Sequence, residues 1–344
     1  MLKPYIAKVI NSEHLTREEA ESAMGVIMTG EATPAQVSAY IVALRMKGET
    51  IDEITGSVQG MRNADVKVIV KDRSVPLYDI VGTGGDGAHT FNISTAAAFV
   101  MAGAGKKIAK HGNRAASSLC GSADVLSALG VNLDLTAEQV GLAIDQLNIG
   151  FMFAPKFHPA MKYAIGPRKE IGQRTIFNVL GPLTNPAGAD IQLTGVYSDK
   201  LVRPIANVLK NLGSKGAMVL IGAQGTDELN TCGINQVCQL RAGELSDFEM
   251  NPADFGMPPA SIDDLKGGAP DQNAEMMRQL LGGKLTGPIR DSVLMNAAAA
   301  ISIETGDIKR SLEQASTSLE SGAALASLQN LVEFSRSFIH EPLE

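Results

Sequence analysis

Hydrophobic positions in the first 65 residues recur at helical spacing and are separated by clear start and stop signals. Val37, Tyr40, Ile41 and Leu44 fall at i, i+3, i+4 and i+7, which places them on one face of a helix that must be buried. Thr16-Arg17-Glu18-Glu19, Thr33-Pro34-Ala35-Gln36 and Thr50-Ile51-Asp52-Glu53 each have the spacing of a capping box. In that motif the threonine hydroxyl accepts from the third helical amide while Glu or Gln reaches back to the threonine N–H. Pro34 sits at a first helical position, where its missing N–H costs nothing. Gly30 and Gly48 follow the first two helices where a left-handed residue is wanted. These signals predict helices over 17–29, 34–47 and 51–63. So thin a helical layer cannot cover its own apolar face, and the rest of the chain or another subunit must do so.

From Val66 the pattern changes. Leu77-Tyr78-Asp79-Ile80-Val81 reads as a strand ending in a glycine loop, followed by a helical run from Thr95 to Ala104 and a second strand at Lys107-Ile108-Ala109. Helices near 123–129 and 137–147 and strands near 149–154, 191–196 and 216–221 continue the alternation, and the chain beyond about 271 is mostly helical. Such alternation predicts an α/β fold with a mainly parallel central sheet covered on both faces. His158 to Pro186 breaks the rhythm with two basic helical turns ending in Gly181-Pro182-Leu183-Thr184-Asn185-Pro186, and is expected to return to the N-terminal helices. The expected division is a small helical domain over 1–72, joined by about 166–188, and a large α/β domain over 73–344.

Composition narrows the class. The 344 residues carry a net charge of −7, which argues against a broad nucleic-acid-binding face but leaves room for a local anion pocket. Cys120, Cys232 and Cys238 show no metal-ligand spacing and read as packing residues of a reducing compartment. The start, Met1-Leu2-Lys3-Pro4-Tyr5, has no apolar signal core. The longest apolar run, Thr95 to Ala104, is about half the ~20 residues a membrane span needs. A cytoplasmic enzyme with no membrane or nucleic-acid partner is expected.

Four segments carry candidate chemistry. Gly82-Thr83-Gly84-Gly85-Asp86-Gly87 follows a strand and matches a dinucleotide fingerprint. However, the acidic ribose partner expected about 20 positions on is replaced by Lys106, Lys107 and Lys110. Asp86 would repel phosphates in such a cradle unless a divalent cation lay between them. A tight turn without a ligand fits this loop equally well. Thr90-Phe91-Asn92-Ile93-Ser94-Thr95 supplies helix-start residues, which cap a helix or present amides and hydroxyls to an anion. Lys110-His111-Gly112-Asn113-Arg114-Ala115-Ala116-Ser117-Ser118 ends the second strand, where an open parallel sheet binds ligands. Its cations and hydroxyls suit a phosphate or diphosphate better than a solvated turn does. Asp227-Glu228 follows the strand Ala217–Ile221. Adjacent acids are usually surface residues, but at a strand end they suit Mg²⁺.

The ordered set Gly82–Gly87, Asn92–Thr95, Lys110–Ser118, Gly121–Asp124, Gly181–Pro186 and Asp227–Glu228 resembles the anthranilate phosphoribosyltransferase family over most of the chain. The resemblance implies a helical domain on an α/β domain, an architecture shared with nucleoside phosphorylases, and a homodimer formed through the helical part. It implies phosphoribosyl diphosphate contacts from Gly82, Gly85, Asp86, Thr90, Asn92, Ile93, Ser94 and Thr95, from Lys110 through Ser118, and from Ser122. It also implies Mg²⁺ ligation by Ser94, Asp227 and Glu228, and anthranilate contacts from Gly82, Asn113 and Arg168. Leu229-Asn230-Thr231-Cys232-Gly233-Ile234-Asn235 departs from the family, where a turn richer in serine, threonine or proline is expected. With no glutamine amidotransferase segment ahead of the helices, a stand-alone enzyme is expected.

The implied reaction is attack of anthranilate's amino nitrogen on the anomeric carbon of phosphoribosyl diphosphate, in tryptophan biosynthesis, with loss of pyrophosphate. An aryl amine is neutral at pH 7, so no strong base is needed, and His111 is read as an orienting or packing residue. Three rival functions fit the residues less well. A metal-free nucleoside phosphorylase conflicts with the acidic pair and Asp86, a non-catalytic nucleic-acid-binding relative conflicts with the intact motifs and acidic charge, and a nicotinamide oxidoreductase lacks the ribose acid.

Overall fold

A computed structural model describes residues 1–115 and 118–339 of the chain. The N-terminal layer consists of α1 (Lys3–Ile10), α2 (Arg17–Met28), α3 (Pro34–Lys47) and α4 (Ile51–Ala64). All three threonine capping boxes form with both reciprocal bonds, and Gly30 and Gly48 take positive φ of 78° and 87°. The short α1 carries no such box and was not anticipated; Leu2 and Val9 bury it. Glu53 does more than cap α4. Its carboxylate accepts from the N–H of Thr50 (2.8 Å), the N–H of Leu15 (2.9 Å) and Lys47 Nζ (2.8 Å), tying the entry of α2, the end of α3 and the start of α4 together.

The sheet begins with β1 (Leu77–Gly82), then α5 (Ile93–Gly103), β2 (Lys107–Gly112), α6 (Ser122–Leu129), α7 (Ala137–Leu147) and β3 (Ile149–Phe153). A helical excursion follows, α8 (Ala154–Phe157), α9 (Lys162–Ile171) and α10 (Phe177–Leu180), before β4 (Ile191–Gly195), α11 (Val202–Asn211) and β5 (Gly216–Ile221). The strand order is β3-β2-β1-β4-β5-β6-β7, with the first five parallel. The hairpin β6 (Asn235–Arg241) and β7 (Glu244–Met250) adds two antiparallel strands at one edge and was not anticipated. Its signal was the two-residue turn Ala242-Gly243, both at positive φ (50° and 80°), as a tight hairpin requires.

The final helices α12 (Pro270–Leu281), α13 (Pro288–Thr305), α14 (Ile308–Glu320) and α15 (Ala323–Arg336) pack with α5 and α6 around one core. The other large core joins α11 to the helical layer. Ala164, Phe177, Leu180 and Leu183 of the excursion lie in it beside Ile27, Tyr40 and Ile41. Gly166-Pro167, a pair that by sequence reads as a turn leading into a helix, lies inside α9. The pyrrolidine keeps a helical φ, so the chain passes through Pro167 with the loss of one backbone hydrogen bond. Among the described residues no helix is long and apolar enough to cross a membrane.

Candidate active site

The sheet order reverses between β1 and β4, and open α/β sheets bind ligands at the carboxyl ends of strands at such a switch point. Here Gly82 of β1 pairs with Gly195 of β4. Both glycines are needed for close approach, because the turn carrying Asp227 rests on them. A Cβ at Gly82 would run into the Asp227 carboxylate, and one at Gly195 into the Asp227 main-chain carbonyl. Gly84, Gly85 and Gly87 instead adopt positive φ (67°, 75° and 78°), which folds the loop back over the strand end.

The acidic pair is held by main-chain and hydroxyl donors. Asp227 Oδ2 accepts from Gly84 N–H at 2.5 Å, and Asp227 N–H donates to Asp86 Oδ2 at 3.3 Å. Glu228 accepts from Ser94 N–H (3.0 Å) and from the Thr90 hydroxyl (3.2 Å). Burial, then the charges of Glu228 and Asp86, pushes the Asp227 carboxyl well above the ordinary range. Burial raises Glu228 also, with Asp86 adding to it. The full negative charge is therefore unfavourable until a cation arrives, and Lys110 is the nearby protein cation. Lys110 Nζ is spent on the Ile80 carbonyl at 2.7 Å, and burial lowers its pKa.

No cluster of three or more His, Cys, Asp or Glu side chains is arranged as a closed ligand set among the described residues. Two carboxylates beside an open cavity fit Mg²⁺, which keeps waters and takes substrate oxygens to complete its shell. The turn from Leu229 to Asn235, expected to differ from the family, is firmly tied. Asn235 Oδ1 accepts from Ala223 and Asn230 N–H (3.2 and 3.0 Å), and Asn230 Nδ2 donates to Thr226 Oγ1 (2.7 Å).

A cavity of about 370 Å³ opens over these residues. Of the expected set, Gly82, Gly85, Asp86, Thr90, Asn92, Ser94, Thr95, Lys110, His111, Gly112, Asn113, Arg114, Ala115, Ser118, Ser122, Asp227 and Glu228 line it. Ala116 and Ser117 lie outside the described residues. Ile93 does not line the cavity; it opens α5 and is fully buried in the core that α5 shares with the sheet and the final helices. Arg168 does not line it either. It sits half-buried on α9 with its guanidinium 5.3 Å over the Phe177 ring and forms no ion pair among the described residues, with nearby Glu170 or any other acid. Burial alone lowers its pKa.

Thr83 lines the cavity beside the expected Thr95, and the hydroxyls of both are buried without a hydrogen-bond partner. Asn178 lines it from α10, inside the rhythm-breaking segment. Asp124 orders the loop after β2 by accepting from Arg114 Nη1 (2.8 Å), Ala115 N–H (2.8 Å) and Gly121 N–H (3.0 Å). Asn92 braces rather than points. Its Nδ2 donates to the Cys120 carbonyl (3.0 Å) and its Oδ1 accepts from Asn273 Nδ2 (2.9 Å). Burial lowers His111 to about 3, so it is neutral at pH 7.

Known proteins share this arrangement. Residues 3–64 match the family described as "Glycosyl transferase family, helical bundle domain", and 74–325 match "Glycosyl transferase family, a/b domain". The anthranilate phosphoribosyltransferase of Moorella thermoacetica is 50% identical over 341 residues, covering 98% of this chain and 99% of the relative. The chain belongs to the anthranilate phosphoribosyltransferase family. The Thermus thermophilus anthranilate phosphoribosyltransferase crystal structure superposes with a TM-score of 0.92 at 43% identity, covering 96% of this chain and 99% of the other. The Saccharomyces cerevisiae anthranilate phosphoribosyltransferase, in complex with PRPP and Mg, gives 0.90 at 29% identity and 98% coverage of each chain.

The close packing of the Asp227 turn can be measured directly. Gly195→Ala forces that turn off β4 and is expected to lower the unfolding free energy by about 1–3 kcal/mol. Gly25→Ala, in open space inside α2, should raise it by about 0.5–1 kcal/mol. Urea denaturation of both variants decides; equal and small effects would refute the contact.

Proposed function

We propose that the chain transfers the phosphoribosyl group of 5-phosphoribosyl 1-diphosphate to the amino group of anthranilate, releasing pyrophosphate, as a step of tryptophan biosynthesis. The observation that carries this reading is the pair of buried carboxylates facing a glycine loop and two unpartnered threonine hydroxyls at the sheet's switch point. The relatives and the yeast complex with PRPP and Mg support it.

Each part of the site has a physical task. The N–H groups of the folded-back glycine loop and the hydroxyls of Thr83 and Thr95 suit the donor's phosphate oxygens, which a helix N-terminus such as that of α5 also favours. Lys110 gives positive potential from beneath, although its ammonium is already bonded. Ser94, Asp227 and Glu228 would hold Mg²⁺, which offsets the charge that develops on the departing diphosphate. The attacking aryl amine is neutral at pH 7, and His111, neutral and bonded to a second histidine, is not required as a base. Reaction therefore depends on orientation and on stabilising the leaving group.

The assay is loss of anthranilate fluorescence on addition of donor and Mg²⁺. Asp227→Asn with Glu228→Gln should reduce turnover by at least a hundredfold, the scale of losing one electrostatic stabiliser, with partial rescue by excess Mg²⁺. Full activity of that variant at limiting Mg²⁺ would remove the pair from the mechanism.

Arg168 is assigned to the anthranilate carboxylate. Its support is the unpaired, half-buried guanidinium on the segment facing the phosphate loops, since an arginine fork matches a carboxylate through two parallel hydrogen bonds. Arg168→Ala should raise the KM for anthranilate about ten- to a hundredfold and leave the donor's nearly unchanged, with little recovery in Arg168→Lys. Weakened donor binding with anthranilate spared would place Arg168 in the phosphate site.

Two further assignments belong to this reading. The helical unit is 1–72 joined by about 166–188, with 73–344 as the α/β unit, supported by the core that α9 and α10 share with α2 and α3. The protein acts in the cytoplasm as a homodimer through the helical layer, whose α1, α3 and α9 leave Ile10 (64%), Met46 (83%) and Ile165 (46%) exposed. Sedimentation at micromolar concentration should give the mass of two chains; a fully active monomer would overturn this.

A further inference from the structure

His111, on the cavity wall, is backed by a chain of polar side chains that runs out to the end of the helical layer. His111 Nε2 lies 2.9 Å from His158 Nε2, and His158 Nδ1 lies 2.5 Å from Asp65 Oδ1. The side chains of His158 and Asp65 are only 6% and 3% exposed. Asp65 is the C-cap residue of α4, and beside it Val66 N–H donates to the Phe157 carbonyl at 2.9 Å. The chain therefore begins where the helical layer hands over to the sheet. It crosses the excursion after β3 and ends on β2.

Each contact of the chain needs one hydrogen between its two atoms. One of the facing Nε2 atoms carries it and the other accepts, and the contact of His158 Nδ1 with Asp65 Oδ1 holds a second. The His111 ring cannot turn without breaking the first of these bonds. His158 belongs to the excursion whose Asn178 lines the cavity and which carries Arg168, assigned above to the aromatic acid.

We propose that Asp65 is a positioning residue for the aromatic amine. Through His158 it holds the His111 ring on the cavity wall, so that amine binding depends on how the helical layer is seated on the sheet. This rests on the transferase reading above. If wild-type protein does not turn over, that reading fails, whereas the spectroscopic arm below tests the chain on its own.

The first measurement needs no variant. ¹⁵N spectra of histidine-labelled wild-type protein should show coupling between His111 Nε2 and His158 Nε2 across their hydrogen bond. Spectra in which His111 Nε2 is not bonded to His158 would overturn the proposal. The second compares substitutions. Asp65→Ala removes the anchor and should raise the amine's KM about tenfold, the worth of roughly one hydrogen bond, and the donor's by less, since His111 is also an expected donor contact. Asp65→Asn can still bond His158 Nδ1 through its amide, so it should return the amine's KM to near wild type and keep the His111–His158 coupling. Equal losses for both substrates, or no change in Asp65→Ala, would show that Asp65 has no positioning role.

Discussion

The site depends on one close approach, the turn of Asp227 seated on the backbone of Gly82 and Gly195. Side chains at either glycine would push the acidic pair off the strand ends. Because the approach is so close, Asp227 reaches the Gly84 amide and Asp86 reaches the Asp227 amide, so the glycine loop and the acidic turn hold each other in place. The same approach buries both carboxylates, which raises their pKa values and leaves a local excess of negative charge beside an open cavity. A dication beside an anionic substrate is the physical answer to that excess.

Around this contact the polar side chains divide into those that brace and those that stay free. Asn92, Asp124, Asn230 and Asn235 spend their hydrogen bonds on protein groups, and so fix loops that have little apolar packing of their own. Thr83 and Thr95 spend none. A buried hydroxyl without a partner costs about 1–3 kcal/mol, which a ligand oxygen would recover. This division explains how a cavity built almost entirely from loops presents a definite surface to a flexible, highly charged donor.

The helical layer has a role beyond covering the sheet. Its apolar face merges with α9, α10 and α11 into one core. The buried Lys47–Glu53 pair holds three of its helices in one arrangement, because separating either charge from its partner would leave it unpaired out of water. Seating of the layer is thereby coupled to the side of the cavity where the excursion after β3 supplies Asn178.

The three threonine boxes, the glycine loop at the end of β1 and the alternation of strands with helices were legible from sequence alone. Each is a local signal, written within four to six residues by hydrogen-bond geometry or by periodicity. The motif order also carried the family. Local signals say little about which side chains meet. The pairing of Asp86 with the Asp227 turn joins residues 141 positions apart, and the contact from Ile93 to the core rather than the cavity follows from the packing of α5 with the sheet and the final helices. The β6–β7 hairpin went unseen because β7 is largely solvent-exposed and lacks an alternating apolar face. Whether Asn92 binds or braces was decided by Asn273, from a helix far along the chain. Sequence determined which chemistry the protein carries, since residue types at strand ends are local choices. Tertiary structure decided which groups remain free to perform it, since a side chain's hydrogen bonds are divided among partners that only folding brings near.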